Sequence, residues 1–168
     1  VSMLLGGEQG ETYRQSKKQE EARRGPFTLP AANETMRRVF AYLLRSRLLD
    51  YEVVSAFAKE KLIYESLELS KDKSRQYHNA IFVGYDPEGK ARHAHKKGIY
   101  TMGKSYRGNL ESSDPRYSFH WNGKSREVFV FEAPIDMLSY ISLHKPGWRD
   151  HSYVALCGVG SQALFQML

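Results

Sequence analysis

Apolar and polar positions recur along the chain with a period that changes, and each change marks a boundary between elements. Residues 1–26 carry no apolar stripe. Gly6, Gly7 and Gly10 interrupt the start, and Glu11 to Arg24 is polar with mixed charge, so the stretch reads as a tail or linker closed by Gly25-Pro26. The ordered domain is expected to begin near Phe27. From Met36 the spacing is helical: Met36, Val39, Phe40, Leu43 and Leu44 share a face, and Asn33 stands where an N-cap would. Asp50 is placed to cap a second helix that turns Val53, Val54 and Phe57 inward. The short connection predicts a compact pair. Two readings of that pair stay open, a helix-turn-helix reader of DNA and an ordinary helical hairpin. Leu62-Ile63-Tyr64 predicts the start of a short strand.

Beyond a polar stretch from Ser70 to His78 the chain becomes β-rich. Ala80-Ile81-Phe82-Val83 predicts a strand. Asp86-Pro87-Glu88-Gly89 predicts a turn in which proline fixes φ and glycine takes positive φ, with Lys90 to His95 as the returning strand. Tyr117 to Trp121, Asn122-Gly123 and Arg126 to Phe131 predict a second hairpin, because Asn-Gly between β-prone runs suits a two-residue turn.

The last quarter differs. Val128-Phe129-Val130-Phe131 is apolar throughout, as expected of a strand covered on both faces. Pro134 suits a first helical turn, Ile135 to Leu143 continue it, and Pro146-Gly147 end it. Tyr153 to Cys157 is a second apolar strand, ended by Gly158-Val159-Gly160, and Ser161 to Leu168 start a further helix. Strand, helix, strand, helix is a βαβ unit with a right-handed connection. The predicted fold class is therefore α+β. A helix pair and antiparallel hairpins occupy residues 27–125, and a partial Rossmann-like βαβ unit occupies 126–168. A parallel sheet of two strands is not stable alone, so the unit must borrow strands from upstream or continue past Leu168.

Composition narrows the class. The 168 residues are 41% hydrophobic and 26% charged, a globular balance with enough chain to bury a core. No apolar run approaches the ~20 residues needed to span a bilayer. Val1 to Gly10 has no basic n-region of a signal peptide. The one cysteine, Cys157, excludes an internal disulfide framework and a cysteine-rich zinc site within this chain, which makes a reducing cytoplasm the expected compartment. Buried in an apolar strand, Cys157 reads as an inert core thiol.

The net charge of +6 is concentrated. Gly89 to Arg107 contains Lys90, Arg92, Lys96, Lys97, Lys104 and Arg107 and no acidic residue, while the rest of the chain carries 19 charges of each sign. His93, His95, Tyr100 and Tyr106 interleave with the cations. Clustered cations with aromatic neighbours suit a phosphate-backbone contact surface. A solvated face that keeps the chain soluble explains the pattern equally well. His93 and His95 alternate on a strand, but nothing nearby supplies a third soft ligand, so a phosphate-facing or solvent role is favoured over a metal site. Tyr117 and Trp121 read as packing residues. Ser161 and Gln162, at a helix start after a glycine turn, can offer backbone N–H groups to a phosphate.

Glu132 stands at the carboxyl end of the first apolar strand, where open α/β folds place ligands, and Asp136 follows four residues later in the first helical turn. Two carboxylates there suit a hard, hydrated Mg²⁺. Glu132 alternatively serves as a general acid or base. A purely structural reading, acids that stabilise the helix N-terminus, stands beside both.

Val128 to Asp136, read as Val-Phe-Val-Phe-Glu-Ala-Pro-Ile-Asp, resembles the opening motif of Toprim domains, the catalytic α/β domains of bacterial primases of the DnaG type, topoisomerases and some nucleases. Ala155-Leu156-Cys157-Gly158-Val159-Gly160 resembles the second Toprim strand with its glycine turn. Phe27 to Trp121 is similar to the domain that precedes Toprim in primase-related proteins of conjugative and other mobile elements. The pieces that carry this likeness are Tyr42-Leu43-Leu44-Arg45-Ser46-Arg47, Ala80-Ile81-Phe82-Val83-Gly84 and Ser112-Ser113-Asp114-Pro115-Arg116-Tyr117-Ser118-Phe119. Val1 to Gly7 is similar to the last helix of a primase-type zinc ribbon.

The resemblance implies a Mg²⁺-dependent nucleotidyltransferase acting on DNA templates. Its partners would be single-stranded DNA or a template/primer duplex, and nucleotides, with no membrane. Glu132 would be catalytic, Glu132 and Asp136 metal ligands, and Lys90, Arg92, Lys96, Lys97, Lys104 and Arg107 the nucleic-acid contacts. Three departures matter. The Asp-x-Asp pair of the third Toprim strand and the zinc-ribbon cysteines are absent, and Ala133 replaces the usual glycine after the glutamate. The chain is therefore expected to be an excised middle, inactive alone, with weak Mg²⁺ binding at most and zinc confined to an upstream domain. A non-catalytic nucleic-acid-binding module and a Toprim nuclease are the alternatives.

Overall fold

Two β-sheets and the helices share one main core. The computed structural model describes residues 25–100, 102–158 and 160–168. The tail reading of residues 1–24 and the likeness of Val1 to Gly7 to a zinc-ribbon helix lie outside them. Helix α1 (Arg37–Ala41) continues into a π-helical turn (Tyr42–Ser46), and α2 (Tyr51–Lys59) follows. Four antiparallel strands come next in sheet order: β1 (Ile63–Leu69), β2 (Gln76–Tyr85), β3 (Ala91–Gly98) and β4 (Arg107–Asn109). The second sheet contains β5 (His120–Trp121), β6 (Val128–Phe131) and β7 (Ser152–Ala155), with α3 (Pro134–Leu143) between β6 and β7 and α4 (Gln162–Met167) at the end. The predicted α+β class is what forms, and β6–α3–β7 is the βαβ unit, its two strands parallel. Among the described residues no helix is long and apolar enough to cross a membrane.

Strand β2 is central and covered on both faces. Ala80 and Phe82 turn to the main core, while Ile81 and Val83 turn to a smaller cluster with Ala94, which Phe27, Leu29, Tyr64, Tyr85 and Leu110 cover. The Asp86–Gly89 turn forms as its residue types require. Gly89 has φ +79° and its N–H donates to Asp86 O at 2.9 Å. Asp50 caps α2 by accepting from Glu52 N and Val53 N.

The main core runs through both sheets. Val39, Leu43, Val53, Val54 and Phe57 from the helix pair pack in one cluster with Phe82, Phe119, Ile135, Met137, Leu138, Ile141, Trp148, Tyr153 and Ala155. Phe57 is its centre. Its ring lies 5.4 Å from Phe119, 5.1 Å from Trp121 and 5.6 Å from Trp148, centre to centre. Tyr117 and Trp121 were expected to be packing residues; Trp121 is one, 4.7 Å from Trp148, and Tyr117 is half-buried. Helix α3 docks on α2 through polar links as well. Asp50 N donates to Ser142 Oγ at 3.0 Å, and Lys145 Nζ lies 2.9 Å from Asp50 Oδ2 and 2.8 Å from Glu52 Oε2.

Three local expectations fail, each because a distant residue wins. Asn33 does not cap α1. The helix starts at Arg37, Met36 makes no side-chain cap, and the Asn33 amide donates instead to Thr35 O and Glu65 Oε1. The donors of the first turn are satisfied from β1, where Glu65 Oε2 accepts from Arg38 N at 3.1 Å and Val39 N at 3.0 Å. The polar stretch 70–78 is partly strand, since β2 begins at Gln76 and pairs with all seven residues of β1. The Asn122-Gly123 hairpin does not form either. Strand β7 inserts between β5 and β6, antiparallel to the first and parallel to the second. Gly123 serves close approach rather than a tight turn: a Cβ there would lie 2.3 Å from Asp150 O and from His151 O. Gly84, at the bulge of β2, works the same way, since a Cβ would meet Tyr117 O at 1.6 Å.

Two measurements follow. Glu65 is 1% exposed, and its removal strands the Arg38 and Val39 amides, the Asn33 amide and His78 Nδ1. Glu65→Ala is expected to lower unfolding free energy in urea by roughly 3 kcal/mol or more, and Glu65→Gln by less, because the amide still accepts hydrogen bonds. Gly123→Ala is expected to lower the unfolding free energy in urea by more than the ~1 kcal/mol of an ordinary glycine turn, because backbone must shift.

Candidate functional site

Strand β6 delivers Glu132 to the carboxyl edge of the parallel pair, and Pro134 starts α3 immediately after it. Both residues, Glu132 and Asp136, are exposed, and neither side-chain carboxylate makes a hydrogen bond or ion pair among the described residues. Ala133 at the N-cap has φ −133°, extended backbone that any residue adopts, so the replaced glycine is not missed. Among the described residues no group of three or more His, Cys, Asp or Glu could hold a metal ion.

A chain of hydrogen bonds ties this edge to the first sheet. Cys157 N donates to Glu132 O at 2.9 Å, Asn109 Nδ2 donates to Cys157 O at 2.8 Å, and Asn109 Oδ1 lies 2.8 Å from His95 Nδ1. The β3–β4 edge therefore abuts the strand end that carries Glu132. Lys97 and Arg107 sit on that edge, paired in register. Lys97 has no carboxylate partner among the described residues; its Nζ donates to Gly98 O and Ser105 Oγ. Burial, and then the positive charges of Arg107 and Arg47, hold its pKa below the usual lysine range.

The six expected nucleic-acid contacts do not form one continuous surface. Lys96 and Lys97 are neighbours on a strand, so they project to opposite faces. Lys96 pairs with Glu68 at 3.0 Å and stands 4.7 Å over the Tyr106 ring. Arg92 pairs with buried Asp86 at 2.6 Å, at the turn end of β3, beside Lys90, whose N–H donates to the same carboxylate. Only Lys97, Lys104 and Arg107 remain both near one end of β3 and clear of carboxylates among the described residues.

Other expected groups also settle. His93 and His95 do not face phosphate or solvent. They are 1% and 7% exposed and turn to the interior. Burial pushes His93 down to about 4, with His95 and His120 adding repulsion and Asp114 opposing it. Cys157 is the inert thiol expected, its pKa pushed up to about 12 by burial. Ser161 makes no capping bond, and the helix it precedes has only six residues.

A cleft of about 880 Å³ opens at the end of the first sheet where β2 begins and β3 ends. Helix α1 and the π turn contribute Arg38, Tyr42 and Arg45; the strands contribute Tyr77, His78 and Lys96; the segment after β3 contributes Tyr100, Met102, Lys104 and Tyr106. At its floor His78 Nδ1 donates to Glu65 Oε1 at 2.6 Å, and His78 Nε2 has no partner. Of the lining residues only Lys96, Lys104 and their neighbours Tyr100, Met102, Ser105 and Tyr106, with Gly98 and Ile99, belong to the basic stretch. Arg38, Tyr42 and Arg45 recur at i, i+4 and i+7, a polar stripe that helical spacing alone could have flagged.

The sequence model of a family described as "Protein of unknown function (DUF3991)" matches residues 41–125. The chain belongs to this family. The match covers α2, the whole four-stranded sheet and β5, and it includes most of the cleft. An uncharacterized protein of Bacillus anthracis, pXO2-78, is 31% identical over 134 residues, which are 76% of this chain and 36% of that protein. The chain thus spans 36% of the length of the relative it matches. Neither description states an activity.

The buried histidines make stability depend on pH. An unfolded histidine titrates near 6.5, whereas His93 in the folded chain titrates at about 4. The folded state therefore takes up this proton later. Stability is complete above about pH 6.5 and falls as pH drops toward 4, by up to ~3 kcal/mol from this residue. Urea midpoints measured across that window should decline for the parent and decline less for His93→Leu.

Proposed function

We propose that this chain is part of a primase-like, Mg²⁺-dependent nucleotidyltransferase acting on DNA templates, within a longer replication or transfer protein of a mobile element. Residues 126–168 are then the first half of a Toprim domain. One observation carries the reading: the Glu132 carboxylate is exposed and has no partner among the described residues, directly after the apolar strand of a parallel βαβ unit, with Asp136 one helical turn on. Ligands of open α/β sheets bind at this edge.

The donor set fits a hard cation, since both groups offer carboxylate oxygens and lie open to water. A bound Mg²⁺ supplies charge neutralisation at the transferring phosphates. In this reading Glu132 and Asp136 hold half of the metal site, Glu132 alternatively moving a proton of the attacking hydroxyl, and Lys97 and Arg107 hold template phosphates beside it. The remaining acids of such a site would be supplied elsewhere in the longer protein. The alternative is a non-catalytic nucleic-acid-binding module.

The test is Glu132→Gln in the longer protein. Primer extension is expected to fall by roughly 100-fold or more. Extension at the parent rate by a folded variant overturns the catalytic role.

A further inference from the structure

The cleft at the open end of β2 and β3 has a composition that the packing of the fold does not explain. Tyr77, Tyr100, Met102 and Tyr106 all line it, and all are exposed, Tyr100 at 64% and Tyr106 at 53%. None of the three tyrosine rings packs against another ring among the described residues. Large side chains that gain nothing from burial usually mark a binding surface when they cluster.

The charge around them is one-sided. Arg38, Arg45, Lys96 and Lys104 line the same cleft against a single acid, Glu68, which is occupied by Lys96. The side chains of Arg38, Arg45 and Lys104 have no carboxylate partner among the described residues. Such a site repels a cationic occupant and favours a flat, anionic one. Flat rings beside unpaired cations are the parts with which proteins hold single-stranded nucleic acid: bases stack on the aromatic faces, and phosphates lie along the cations.

We propose that this cleft binds single-stranded nucleic acid, with bases stacked on Tyr100 and Tyr106 and the backbone phosphates on Arg38, Arg45 and Lys104. The inference deepens the reading above by naming where the template strand is held, yet it stands on residues separate from Glu132 and Asp136. Lys96 plays a supporting part, since it bridges Glu68 and the Tyr106 ring and so steadies that ring at the rim. Recognition is by ring face and charge, so the site carries little sequence preference.

The experiment uses the 168-residue chain and a fluorescein-labelled oligo-dT of about a dozen nucleotides, followed by anisotropy at several salt concentrations. Tyr100→Ala and Tyr106→Ala are each expected to weaken binding by roughly 5-fold or more, and Tyr100→Phe to retain it, because stacking needs the ring and not the hydroxyl. Lys104→Ala should reduce the log–log salt slope by ~0.7. Tyr51→Ala, an exposed tyrosine outside the cleft, serves as the control and should bind like the parent. Circular dichroism establishes that each variant is folded. Folded Tyr100 and Tyr106 variants that bind oligo-dT as the parent does overturn the proposal. So does a parent that ignores oligo-dT and instead binds a poly-glutamate peptide at this cleft. Failure of Glu132→Gln to slow primer extension would remove the catalytic reading and leave this one intact.

Discussion

The ring of Phe57 is the contact on which the two halves of the fold depend. It comes from α2, and it touches Phe119 just before β5, Trp121 in β5 and Trp148 from the approach to β7. Phe82 of β2 joins edge-on through Phe119 at 5.4 Å. Aromatic pairs of this kind contribute ~0.5–1.5 kcal/mol each beyond the area they bury. What matters more is where the partners come from. The helix pair supplies Phe57, β5 and the approach to β7 supply the tryptophans, and the four-stranded sheet joins through Phe82 on Phe119, so one aromatic cluster links both sheets.

That shared core holds two sites of opposite character in one frame. On one side the parallel edge exposes carboxylates, and on the other the cleft exposes cations and rings. Between them runs the hydrogen-bonded relay from Glu132 O through Cys157 and Asn109 to His95. His95 is buried, and burial holds its pKa below the ordinary range, so the link is a neutral one. Neutrality lets the acidic and basic surfaces lie close without a buried charge between them to draw either inward.

Much of the fold was legible because its signals are local. Asp50 reaches its own next residues, the Asp86–Gly89 turn needs only proline and glycine, and the apolar run Val128 to Phe131 announces a strand by composition, although that strand lies at the sheet edge with Val130 41% exposed instead of covered on both faces. The rest depends on contacts far apart in the chain. The first turn of α1 takes its cap from Glu65, 26 and 27 residues away, which no capping pattern registers. Asn122-Gly123 looks like a hairpin turn because the glycine is required, but the requirement comes from Asp150 and His151. At the candidate sites, the exposure of Glu132 followed from its place after a strand. The basic stretch was only half legible. Strand alternation already separates Lys96 from Lys97, yet nothing local brings α1 and its arginines opposite the end of β3.

Insertion of β7 between β5 and β6 makes the second sheet a late structure in time as well as in sequence. Strands β1, β2 and β3 pair through short turns, so they close at low entropic cost as soon as they exist. Trp121 must wait for Tyr153, and β6 finds its neighbour only after α3 has been traversed. During synthesis on the ribosome, the basic cleft is thus complete in sequence before the acidic edge has a sheet to stand on.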